Sequence, residues 1–163
     1  MTPDPKLDFR DWIRPRFDDT AISVTFSASD DLDIANYDVG PAWPSIAIVD
    51  ATPVVRGGGA TGATSFDPTG AGAYQEVDYL ITVDCWGGPR TADIYASEGS
   101  DPDTVAVELA MELHRAARGE EATPSGYEYA FADPPQDATT TNEDETEYRQ
   151  QVTARLGYRF GPA

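Results

Sequence analysis

The stretch from Glu147 to Phe160 alternates without a break. Tyr148, Val152, Ala154, Leu156, Tyr158 and Phe160 fall on one side of an extended chain. Arg149, Gln151, Thr153, Arg155 and Arg159 fall on the other, because successive strand side chains point to opposite faces. A period of two held this long commits the chain to a sheet with one apolar and one polar face. The chain has only 11 Lys and Arg against 29 Asp and Glu, yet three of those cations sit on one strand face. On so acidic a protein that face is expected to meet carboxylates, either its own or those of a neighbouring copy.

The other elements follow from local signals. Asp4-Pro5 marks a helix start, with Asp as N-cap and Pro in the first turn. Phe9, Trp12, Ile13 and Arg16-Phe17 follow at helical spacing, and Pro15 should end or kink this short helix near Arg14. Thr20 to Ala28 alternates as a half-buried strand, with Ile22, Val24 and Phe26 on one face. Ser45 to Asp50 reads as a second strand that Pro44 opens. Gln75 to Trp86 is the strongest strand, with Val77, Tyr79, Ile81, Val83 and Cys85 on one side and Gly87-Gly88-Pro89 stopping it. Asp101 caps and Pro102 opens the main helix, which Gly119 closes. Val105, Leu109, Leu113 and Ala116 form its apolar stripe, widened by Ala106, Ala110 and Ala117. Gly126 to Ala132 reads as a further strand. Two long loops separate these elements: a Gly-, Ala- and Thr-rich one from Arg56 to Gly72, and a polar one from Asp133 to Thr146. The order predicts an α+β fold over residues 1–163: a mostly antiparallel sheet covered by one main helix, with a short N-terminal helix and two long loops.

The formal net charge of −18, with Lys6 as the single lysine, sets limits on partners. Binding nucleic acid through a basic patch needs clustered Lys and Arg, which are scarce. Excess acid with almost no lysine fits a salt-saturated cytoplasm, where a Debye length of about 3 Å at molar salt screens self-repulsion. No apolar run approaches the length of a membrane span. The N-terminus lacks the basic and apolar regions of a signal peptide. Cys85 stands alone inside a strand and reads as a core residue, in keeping with a cytoplasmic product.

Templates for catalysis fail one by one. A Cys–His pair would need Cys85 beside His114, and His114 reads as a boundary residue of the main helix. No nucleophile elbow, phosphate-binding loop or zinc spacing occurs. Asp31-x-Asp33 and Glu143-Asp144-Glu145 lack the glycine and terminal glutamate of a calcium loop. The reading is a non-enzymatic structural protein with no cofactor and no metal.

The ordered features resemble a family. They run as a short N-terminal helix, a strand around Pro44-Ser45-Ile46-Ala47-Ile48-Val49, a long loop, and the Glu76 to Trp86 strand. The Val105 to Arg118 helix and a closing Tyr148-Arg149 strand behind an acidic loop complete the series. In this order the chain is similar to the tail-terminator or tail-completion proteins of long-tailed viruses, and the acidic bias suggests a haloarchaeal host. The resemblance implies a homo-oligomeric ring, usually hexameric, in the head–tail neck of the virion. Such a ring ends growth of the tail tube and meets the head connector, while genome DNA passes through the lumen without specific binding. Candidate contact residues are Arg149, Arg155 and Arg159 on the last strand, then Arg56, Gly57, Gly58, Phe66 and Tyr74 around the first long loop. Pro134, Pro135, Glu143, Asp144 and Glu145 of the second loop complete the set. Competing readings are another neck component, such as a head-completion or connector protein, and a small cytoplasmic ligand-binding domain.

Overall fold

The computed structural model describes residues 3–17, 25–27, 44–56, 65–66, 73–89, 101–118, 123–141 and 146–160. Helix α1 (Pro5–Ile13) runs into a 3-10 turn at Arg14–Arg16. Then come β1 (Thr25–Ser27), β2 (Ser45–Arg56), β3 (Ser65–Phe66) and β4 (Ala73–Pro89). Helix α2 (Pro102–Ala116) precedes β5 (Tyr129–Ala132), β6 (Gln136–Asp137), β7 (Thr140–Thr141) and β8 (Thr146–Phe160). The fold is α+β with a mostly antiparallel sheet. Its spine has the order β1–β2–β4–β8–β5, and among the described residues only the β1–β2 pairing is parallel. Of the strand expected at Thr20 to Ala28, Thr25–Ser27 is described and forms β1; the remainder lies outside the described residues, as does Gly119.

One side of this sheet is apolar. Val152, Ala154 and Leu156 of β8 are buried, as are Val77, Ile81, Val83 and Cys85 of β4 and Ile46 and Ile48 of β2. The predicted stripe of α2 is buried residue for residue and lies over β4 and β8. Each buried Leu, Val or Ile contributes about 1.5–3 kcal/mol of transfer free energy. Gly87 lets the two layers meet: a Cβ there would strike the backbone carbonyl of Pro102 at the start of α2. The Asp101 carboxylate caps that helix by accepting from the Asp103 N–H at 3.0 Å. Arg16 closes the other end, its guanidinium donating to the carbonyls of Ala116 at 2.9 Å and Arg118 at 3.1 Å. The same guanidinium lies over the Trp12 ring at 4.9 Å. A side chain from the Pro15 turn thus satisfies the orphan carbonyls of a distant helix.

Several elements differ from those read in the sequence, and β5 starts at Tyr129 and not at Gly126. β2 runs six residues past Asp50, through Pro53 to Arg56, after a register irregularity between Ile48 and Asp50. Proline is tolerated because, among the described residues, β2 has no second neighbour beyond Ala47. β4 continues through a bulge between Trp86 and Gly88, where Gly88 takes φ +82°, and stops at Pro89. The polar segment from Asp133 to Thr146 is not free of structure: β6 and β7 both pair with β8. In β5 the alanines face the core, with Ala130 and Ala132 buried while Phe131 is exposed.

Tyr127 ties the approach to β5 onto α1. Its hydroxyl donates to Asp8 Oδ2 at 2.7 Å, and its ring meets Tyr158 edge-on at 5.3 Å. Burial, then the bond to Asp8, pushes the phenol above its ordinary pKa. A raised pKa in the fold means that the neutral phenol stabilises fully below the unfolded value of about 10 and loses that contribution as pH rises beyond it. Urea midpoints should therefore fall above pH ~10. Tyr127→Phe should flatten part of that fall, leaving the share of Tyr79, whose phenol burial also raises.

Candidate contact surface

The side of the sheet away from the helices carries the arginines. In each case the antiparallel register decides the partner. Arg159 lies opposite Glu76, and its Nη2 donates to Glu76 Oε1 at 2.9 Å while its Nε reaches Glu128 at 3.1 Å. Arg155 lies opposite Phe131, covers its ring at 5.8 Å and bonds Asp133 at 3.3 Å. Arg149 lies opposite Trp86, stacks over the indole at 4.8 Å and bonds Asp84 Oδ2 at 3.1 Å. All three arginines thus have carboxylates of their own chain within reach. Surface ion pairs of this kind contribute about 0–1 kcal/mol each.

The Asp84 group is different because it is 4% exposed. Its second oxygen accepts from Gln151 Nε2 at 3.1 Å, across the β4–β8 pair. Arg149 Nε also donates to Ala138 O at 3.2 Å, and the Arg149 backbone exchanges bonds with Ala138 and Thr139. One buried carboxylate therefore fixes the arginine that anchors the β6–β7 segment to β8. Nothing in the sequence around Asp84 distinguishes it from the other acids; only the register does.

A second cross-strand device lies further along. The Tyr129 hydroxyl bonds the Asp78 carboxylate by crossing over Gly157, whose missing side chain leaves room for the ring. Tyr129 also stacks on Phe131 with centroids 5.8 Å apart. This sheet face therefore presents Phe131, 43% exposed, with the Arg155 guanidinium 5.8 Å from its ring centroid.

Among the described residues, other exposed apolar side chains include Val107 and Met111 on the outer face of α2 and those of the outer half of β2. Val54 and Val55 point to opposite faces, yet are 44% and 43% exposed, and Val49 at the irregularity is 43% exposed. Thr52 and Pro53 between them are also exposed.

The remaining candidates do not gather into one patch. In strand register Arg56 lies opposite Glu76, Phe66 opposite Ala73 and Ser65 opposite Tyr74, so this group shares one end of the sheet with Arg159. Arg149 lies near the opposite end. Pro134 and Pro135 lie between β5 and β6, with Pro134 exposed and Pro135 half-buried. Gly57, Gly58, Glu143, Asp144 and Glu145 lie outside the described residues.

Among the described residues no group of His, Cys, Asp and Glu is arranged to hold a metal ion. Cys85 is fully buried, and burial followed by the neighbouring Asp84 charge pushes its thiol pKa up, which opposes thiolate formation. His114 is half-buried on α2. No described helix is long and apolar enough to cross a membrane. Compared with models of known protein families the chain matches none, and no curated protein matches it in sequence.

Proposed function

We propose that the protein is a structural virion subunit that assembles head-to-tail into a ring at the head-proximal end of a viral tail. There it ends tube growth and meets the connector. The observation that carries this reading is the outer half of β2: a paired strand whose valines are exposed on both faces. Pro53 and the irregularity at Val49 blunt the edge against open-ended strand pairing. Such a ribbon is suited to side-chain docking on a different surface of the next copy, a heterologous contact that closes into a ring when the rotation allows. Phe131 with Arg155 is a suitable receiving surface, since aromatic and arginine side chains dominate contact energies. Charge supports the same pairing: on a chain of net charge −18, the arginine face is locally balanced and repels a copy least.

The test is light scattering and negative-stain imaging in multi-molar KCl over a concentration series, alone and with tail-tube protein added. Closed rings are expected. Val54→Asp with Val55→Asp should abolish them, while Met111→Asp on the outer face of α2 leaves them intact. Arg155→Glu is the weaker probe, because it sets a carboxylate against Asp133 within the subunit. A monomer under every condition, tail tube included, would overturn the reading.

A further inference from the structure

A cleft of about 370 Å³ opens where α1 meets the chain before β5 and the end of β8. This volume lies within the range of small-ligand sites. Its walls differ in chemistry. Tyr127 and Tyr158 form an aromatic corner, their rings inclined at 64°. Asp4, the N-cap of α1, and Asp8 within it stand along the cleft with Pro3, and Ser125 and Gly126 complete it. Gly126 takes φ +89°, a conformation that disfavours any side chain, so the turn adds no bulk there.

The electrostatics select one sign of ligand. Among the described residues no lysine or arginine lines the cleft. The N-terminal end of α1 supplies only about half a positive charge, less than the two carboxylates. Asp4 Oδ1 accepts from the Leu7 N–H at 3.2 Å and Asp8 Oδ2 from the Tyr127 hydroxyl. Both bonds keep the carboxylates in place beside the rings. Aromatic faces next to fixed negative charge attract cations, and weakly hydrated organic ones lose least on entering.

We infer that this cleft binds an organic cation, an ammonium or guanidinium group seated between the tyrosine corner and Asp4 and Asp8. The inference does not depend on ring assembly, since every lining residue belongs to one chain. The group could be carried by a free amine or by a lysine or arginine side chain of a partner, and the two sources share this chemistry.

The experiment is an NMR titration at fixed ionic strength, following the tyrosine ring resonances. The probes are n-butylammonium, N-acetyl-lysine methylamide and N-acetyl-arginine methylamide, with N-acetyl-norleucine methylamide as the uncharged control. Saturable shifts are expected with at least one cation and none with norleucine. Binding of n-butylammonium alone assigns a free amine; binding of the capped amino acids assigns a partner's side chain. Tyr158→Leu and Asp8→Asn should each weaken binding roughly three- to ten-fold. Thermal melts of each variant establish that it is folded. Asn keeps an acceptor for the Tyr127 hydroxyl, so the second variant isolates the charge. No saturation by any cation, equal shifts with norleucine, or unchanged affinity in both folded variants would overturn the inference.

Discussion

Asp84→Ala should destabilise the fold by about 2–3 kcal/mol and lower its melting temperature by about 5–10 °C. The substitution removes an almost fully buried carboxylate that accepts from both Arg149 and Gln151. Truncating one member of a fully buried pair costs about 3–5 kcal/mol, because the other charge is left without compensation. The Arg149 side chain is 24% exposed, so water recovers part of that cost and the lower figure follows. Asp84→Asn keeps an acceptor and should lose less. The double variant Asp84→Ala/Arg149→Met should recover part of the loss, since it no longer strands a guanidinium over Trp86. Urea unfolding of the four proteins at one salt concentration checks this. Equal stability of Asp84→Ala and the parent would show that Arg149 is held by its backbone and Ala138 contacts alone.

Gly157→Val should cost a similar amount, about 3–4 kcal/mol, for a reason that is steric and not conformational. Gly157 lies in a regular strand, and its φ is not positive. Its role is to leave space against the Tyr129 ring, because a Cβ there would lie 2.1 Å from the ring carbon Cε1. Any side chain must displace Tyr129, which breaks the bond to Asp78 and the stack on Phe131. Overpacking accounts for about 1–3 kcal/mol and the lost charged hydrogen bond for about 1.5. Tyr129→Ala introduced together with Gly157→Ala should relieve the clash. The pair would then cost less than the sum of the single changes, a coupling that a double-mutant cycle in urea measures directly.

The sequence is most legible where one face of an element is buried. The alternation of Val152, Ala154 and Leu156 and the stripe Val105–Leu109–Leu113 record burial directly, and both lie in the core. The Asp4 and Asp101 caps are local chemistry and equally readable. Pro53 misdirects because a proline argues against a strand interior, and only the absence of a second described neighbour makes it harmless here. The β6 and β7 bridges are accompanied by Arg149 reaching back to Ala138, a contact no local pattern encodes. For the arginine face, the sequence specifies which side of β8 the cations occupy. It does not specify that Glu76, Asp84, Phe131 and Asp133 will stand opposite or beside them. That information resides in strand register, a relation between segments distant in the chain.

The position of β8 in the sheet has a consequence for how the molecule is made. β8 is the last of the described strands in sequence, yet it sits between β4 and β5 and also receives β6 and β7. Its pairs with β4 run from Pro89–Glu147 to Gln75–Phe160, so every one of them closes a long loop. Until residues 146–160 have been synthesised, β4 has one edge bare, β5 has no neighbour in the sheet, and α2 lacks half of the surface it covers. The central pairings of the sheet therefore wait for residues 146–160, and non-local strand pairing of this kind is slow relative to local contacts. A ribosome stalled between Pro89 and Glu147 would hold β4 with its β8 edge open, a state exposed to chaperones and to aggregation.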